Sequence, residues 1–297
     1  NIRAGPGTDF DVVGQLARGD ELTVVGRNAD GDWLRVGPLD STSRWVSVSL
    51  LDVNLDLDEV TLFRSPPRPV PEQADQARAL AEPILDAIAD RPPDYQEEFS
   101  DPGSGWHQGP IVDPSGWEEG RVGYADGEYY GRAAQAKRRP QSTAPVTCAS
   151  AVNPPAPAFR DMVLEIDGRF MQIQEGDWQL TIDRHPELER NLSMRFRAER
   201  GAWMVSVADG QETDLAEWQG FPIRGGLESN RLQIVVVGPQ VALYANGEPA
   251  LFGVDPYFAE SYATGQSGLS VCNFADTPLE ARWDNLRIWD ISDLSSE

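Results

Sequence analysis

The sequence predicts an all-β protein: a small barrel, then a two-sheet antiparallel sandwich, joined by a proline-rich linker and a short helix. Three observations lead there. Short runs with alternating apolar and polar residues recur through most of the chain, separated by Gly, Asp and Pro bends. Only one stretch, residues 72–90, has apolar residues at helical spacing. Between the two blocks of strand-like runs lies Ser65-Pro-Pro-Arg-Pro-Val-Pro71, which must be extended because proline fixes φ and restricts the residue before it.

Residues 1–52 form the first block. Val12-Val13 runs into Gly14, Glu21 to Val25 into Gly26, and Asp32 to Val36 into Gly37-Pro38; Arg44 to Val48 closes the series. Strands this short and closely spaced suit a small barrel. Residues 53–93 differ. Val53 to Val60 alternates apolar and acidic residues, as a half-buried strand would. In the helix, Ala77, Leu80, Ile84 and Ile88 make one stripe with Ala81 and Leu85 beside it. Pro83 is expected to kink or split that helix, and Pro92-Pro93 to end it. Its apolar stripe needs a partner, either the following domain or a neighbouring subunit. Residues 94–293 return to alternation at 162–167, 192–197, 203–207, 232–236 and 281–289. Asn246-Gly247, between apolar runs, signals a type I′ hairpin turn. Strands without intervening helices make a sandwich.

NIRAGPGTDFDVVGQLARGDELTVVG, then GDWLRV, then RWVSVSLL resemble the bacterial SH3 (SH3b) family in order and spacing. Arg44 stands where the family usually has Gly before the Trp. The family's short strand ahead of the Asn is missing, so a longer precursor is expected. Further on, EEFSDPGSGW (97–106), GYADGEYYGR (123–132), FRDMVLEIDGRF (159–170), NRLQIVVVGPQVALYANGEP (230–249), GQSGLSVCNF (265–274) and RWDNLRIWD (282–290) resemble the concanavalin-like, laminin-G-like jelly rolls. The barrel resemblance implies attachment to cell wall or peptide, and the jelly-roll resemblance implies recognition of glycan or protein. The latter also implies a structural Ca²⁺ where the first strand meets the last, held by Glu97 or Glu98, Asp101 and Asp284. Trp33 and Trp45 match barrel positions that are usually partly core, with a ligand role second. Trp178 and Trp218, near turn-like sequence, are the better candidates for exposed rings that stack on a sugar.

Charge and chemistry narrow the function. With 25 Lys plus Arg against 48 Asp plus Glu, the formal charge is -23. Such a surface repels nucleic acid and anionic lipid. No window has the roughly 18 uninterrupted apolar residues of a membrane span. Cys148 and Cys272 either pair, as in an exported protein, or sit as buried thiols; pairing is the expectation. Glu165 and Asp167 share a strand face and resemble the E-x-D-x-x-E strand of jelly-roll glycoside hydrolases, but Phe170 occupies the third position and carries no proton. His107 and His185 are isolated. The expected function is therefore a non-catalytic binding or adhesion protein, outside the cell or on its surface. Its expected partner is a glycan, a cell-wall polymer or copies of itself, and it requires no cofactor beyond the possible calcium. A self-assembling subunit of an extracellular filament or surface layer is the alternative, and a glycoside hydrolase ranks last.

Overall fold

The computed structural model describes the chain apart from residues 4, 8–9, 11, 18, 29–30, 38–43, 58–59, 64–70, 113–116, 139–144, 152–154, 173, 186–189, 198–200, 209–210, 220–222, 225–226, 257–264 and 295–297. In the barrel, β1 (Ile2–Arg3), β2 (Val12–Gly14), β3 (Val24–Arg27), β4 (Trp33–Val36) and β5 (Trp45–Ser47) pair antiparallel in the order β2-β1-β5-β4-β3. One cluster of side chains is Trp33, Trp45 and Phe63; the other is Leu34, Val36 and Val46. Phe63 lies beyond the first block, yet it completes the barrel. Its amide donates to the Arg27 carbonyl at 2.7 Å, and the Arg27 amide donates to the Thr61 carbonyl at 2.9 Å. A Cβ on Gly26 would stand 2.0 Å from the Phe63 ring, so only glycine lets that ring in. The expected strand over 53–60 is absent among its described residues. Val53 and Leu57 instead turn inward against the barrel core. One-sided burial of an irregular segment produces the same alternation as a strand.

Helix α1 (Pro71–Ile88) runs through Pro83 as one element, so of the two expected outcomes the split does not occur. Pro83 is exposed, whereas Ala77, Ala81 and Ile88 are buried against the sandwich. Losing one backbone bond on the solvent side costs about 3 kcal/mol, and the apolar seam on the other side offsets it. The helix docks on the following domain, one of the two options its stripe allowed.

That domain contains β6 (Tyr95–Glu97), β7 (Gly109–Val112), β8 (Glu119–Ala125), β9 (Glu128–Ala133), β10 (Thr147–Ser150), β11 (Pro157–Ala158), β12 (Met162–Phe170), β13 (Gly176–His185), β14 (Arg190–Arg197), β15 (Gly201–Ala208), β16 (Gln211–Gln219), β17 (Asn230–Val237), β18 (Gln240–Ala245), β19 (Glu248–Val254), β20 (Gly265–Asn273) and β21 (Leu279–Asp290). One sheet runs β19-β18-β17-β12-β21-β9-β8-β7, with β6 also on β21; the other runs β10-β20-β13-β14-β15-β16, with β11 on β20. Met162, Leu164 and Ile166 from the first sheet and Leu180, Ile182 and Met194 from the second belong to one core and are fully buried. Asn246 and Gly247, at φ 55° and 85°, turn β18 into β19 as the Asn-Gly signal predicts. Cys148 and Cys272 face each other across β10 and β20 and form a disulfide.

Candidate functional site

Strand alternation sends Trp178, Leu180 and Ile182 of β13 into the core and leaves Asp177, Gln179 and Thr181 on the outer face of the seven-stranded sheet. On β14 it sends Leu192, Met194 and Phe196 inward and leaves Ser193, Arg195 and Arg197 beside them. The Gln179 amide donates to Asp177 Oδ1 at 2.8 Å and lies 3.4 Å from Cys272 Sγ. Arg197 stands 3.6 Å from Asp177 and covers the Phe274 ring at 4.9 Å from its centroid. Arg195 grips Glu212 through both terminal nitrogens. Burial pushes the Asp177 carboxyl above the usual aspartate range; the Gln179 bond, Arg197 and Arg195 pull the other way. The face thus offers planar amide and guanidinium donors beside an aromatic ring and a buried carboxyl. Such groups hydrogen-bond well to hydroxyl-rich ligands.

The outer face of the nine-stranded sheet is built differently. Helix α1 covers Val163, Val235, Ala242 and Tyr244. Beyond the helix the face is a lattice of ion pairs. Glu165 accepts from Arg287 at 3.2 Å and from Gln233 at 3.0 Å. Asp167 accepts from Arg231 at 3.2 Å and from Asn285 at 2.9 Å. Arg169 holds Glu128 at 2.6 Å. Glu165 and Asp167 share this face as expected, and Phe170 points into the core. Each acid of the motif is matched by a base or an amide.

The four expected calcium ligands are engaged locally. Glu97 accepts from the Phe99 amide at 2.6 Å, Glu98 from Gln96 at 2.6 Å, Asp101 from the Gly103 amide at 2.8 Å and Asp284 from the Asn285 amide at 2.8 Å. Among the described residues, no three or more His, Cys, Asp or Glu side chains are grouped to hold a metal ion. Ca²⁺ needs six to eight oxygens around one point, and these four do not fit that requirement. Burial raises the Asp284 pKa, and the nearby charges of Glu128, Asp167 and Glu98 add to the shift.

Trp178 is not the exposed ring expected of it. Trp178 is 2% exposed, stacked on Phe196 at 4.2 Å and set edge-on to Trp283 at 6.2 Å. It follows a glycine and an aspartate that suggest a turn, but it occupies an inward position of a strand already under way. Trp218 lies within β16 rather than a loop, and its side chain falls outside the described residues. Trp33 and Trp45 are core side chains at 9% and 1% exposure, so neither ring is open to a ligand. His107 sits in the loop before β7 and gives its carbonyl to the Tyr129 hydroxyl; the His185 side chain lies outside the described residues. The sequence reading missed Asp177, Gln179, Arg195 and Arg197. The signal was present: polar residues alternate with Trp178-Leu180-Ile182 and Leu192-Met194-Phe196.

Residues 1–52 match the bacterial SH3 domain family. No curated protein matches the chain. Among solved structures, a β-1,3-1,4-glucanase (lichenase) derived from a mouse hindgut metagenome is similar at 11% identity and TM-score 0.49, over 66% of this chain and 99% of that one. The carbohydrate-binding module CBM66 from Bacillus subtilis is similar at 14% identity and TM-score 0.38, over 63% and 96%. A GlcNAcα1-4Gal-releasing endo-β-galactosidase from Clostridium perfringens is similar at 11% identity and TM-score 0.47, over 68% and 63%. These likenesses concern strand arrangement alone. The expectation of a non-catalytic binder is corrected to this extent: the solved structures similar to this chain include a glucanase and an endo-β-galactosidase as well as a binding module. Fold alone does not fix a function.

Proposed function

We propose that the chain is a glycan-directed protein of the bacterial cell surface. The barrel attaches it to wall polymer, and the jelly roll takes a polysaccharide across the outer face of the seven-stranded sheet. The observation that carries this reading is the row Gln179, Arg195 and Arg197 beside the Phe274 ring, a polar face that includes an aromatic surface. The match of residues 1–52 to the bacterial SH3 family supports wall attachment. A disulfide between Cys148 and Cys272 supports an oxidising compartment. Among the described residues, no helix is long and apolar enough to cross a membrane.

The test uses the intact chain with insoluble wall sacculi and with a panel of β-glucans and galactans, following depletion from solution and release of reducing ends. Retention on at least one polymer is expected, with loss in Arg195→Ala and Gln179→Ala chains that keep their melting midpoint. Reducing ends that accumulate with time would identify turnover, and retention alone would identify recognition. A chain that stays wholly in solution and releases nothing overturns the reading.

A further inference from the structure

At the β7–β8–β9 end of the nine-stranded sheet the lattice of ion pairs runs out. Tyr129 and Ala133 of β9 and Val122 of β8 fill the core, so Tyr130, Arg132 and Arg121 share the outer face. Arg121 and Arg132 are directly opposite in the register, and both are exposed. Side chains in that relation stand about 5 Å apart at Cβ, so two guanidinium groups placed there repel. The acids that could separate them are committed elsewhere. Glu280, across from Arg132 on β21, is held by Arg282 at 2.9 Å, and Glu119, two residues before Arg121, is held by Lys137. Among the described residues, neither Arg121 nor Arg132 has a hydrogen-bond or ion-pair partner, in a chain with 48 acids against 25 bases. One row along, Tyr130 faces Gly123. Its Cε1, Cζ and hydroxyl come within 3.3–3.5 Å of where a Gly123 Cβ would stand, so the ring lies down across β8 instead of standing up from the sheet. Tyr130 is half-buried, and its remaining surface faces solvent.

We infer that this patch binds an acid-bearing sugar, a uronate within a glycan, with the sugar ring on Tyr130 and its carboxylate between Arg121 and Arg132. Successive outward residues of a strand are about 6.6 Å apart, a gap that an exocyclic carboxylate and an arginine stem bridge together. Each guanidinium offers a planar fork that matches a carboxylate, and an anion between the forks removes their mutual repulsion. β8 and β9 are each paired on both sides, by β7 and β21 as well as by each other. Their backbone therefore presents no edge to an added peptide strand, and recognition falls to side chains. The negative surface elsewhere disfavours a long polyanion, but at physiological salt charges more than about 8 Å away are largely screened. The fit is to a glycan whose acid groups are few. The site lies on the other sheet from Gln179, Arg195 and Arg197 and does not depend on them.

The probes are end-labelled trisaccharides of galacturonate and of glucuronate, titrated by anisotropy against the full chain at about 150 mM salt, with the methyl ester of each as its uncharged counterpart. Saturable binding of at least one acid is expected, with its ester bound about tenfold more weakly or worse. Tyr130→Ala should weaken binding of the acid about fivefold, and Arg121→Gln about tenfold. Arg132→Glu is the sharpest variant: it sets a carboxylate opposite Arg121, so binding should be lost while the melting midpoint holds or rises. Loss in a chain at least as stable as the parent cannot come from unfolding, and Arg132→Gln takes its place if the midpoint falls. No saturable binding of either acid, equal binding of acid and ester, or unchanged binding in the Arg132 variants would overturn the assignment. Retention of neutral β-glucans reads the seven-stranded sheet separately, so either reading can fail while the other stands.

Discussion

The barrel and the sandwich reach a folded core by opposite means. The strands of the barrel are two to four residues long, while β21 of the sandwich runs for twelve. Long strands give the sandwich two complete inner faces, and these meet as one continuous core. The barrel has two clusters of three buried side chains each, and one of them borrows Phe63 from beyond its last strand. A domain made of short strands cannot exclude water with its own inner faces, so it recruits the chain that follows.

Substitutions can break this contrast, beginning with the largest effect. Trp283→Ala removes a 1% exposed ring that touches both Tyr129 and Trp178, and should cost the sandwich about 3–5 kcal/mol. A calorimetric scan should show its transition moving while the barrel's stays. Phe63→Ala should cost the barrel about 3 kcal/mol and leave the sandwich unmoved. As a sharper version, a 1–63 fragment should give dispersed amide resonances where a 1–52 fragment does not. Equal dispersion in the two would remove Phe63 from the barrel core. Replacing Cys148 and Cys272 by serine should destabilise the sandwich by about 2–3 kcal/mol, read as a lower urea midpoint.

Two smaller effects test the sheet faces. Because burial raises the Asp177 pKa, the protonated carboxyl is favoured in the folded state. That contribution is complete below the unfolded value and is lost as pH climbs through the folded one. Asp177→Asn should therefore gain stability relative to the parent chain as pH rises above about 4. A constant difference in melting temperature across that range would contradict the burial argument. On the solvent side of α1, Arg78 pairs with Asp75 and Glu82 in full view of water. Arg78→Ala should change stability by less than about 0.5 kcal/mol, and chelator in excess should leave every midpoint unmoved.

The parts legible in the sequence depend on neighbours along the chain. Alternation located most strands, the Asn246-Gly247 pair located a turn, and the spacing of Ala77, Ala81 and Ile88 identified the docking face of α1. Positions set by distant contacts were read wrongly. Trp178 followed turn-like residues but was claimed by Phe196 and Trp283. Val53 to Val60 has the pattern of a strand, but its Val53 and Leu57 pack on the barrel core from an irregular segment. Pro83 should have split a free helix, but a sheet lay beneath this one.

The sequence by itself determined the all-β class, the order of its parts and which residue of each alternating pair is apolar, since these follow from a period of two and from turn chemistry. Only the tertiary structure decided which outer face stays polar, which acids are matched by arginines and which segment completes the barrel. Those outcomes depend on strands far apart in the chain meeting in one register, and no local pattern encodes which strands become neighbours.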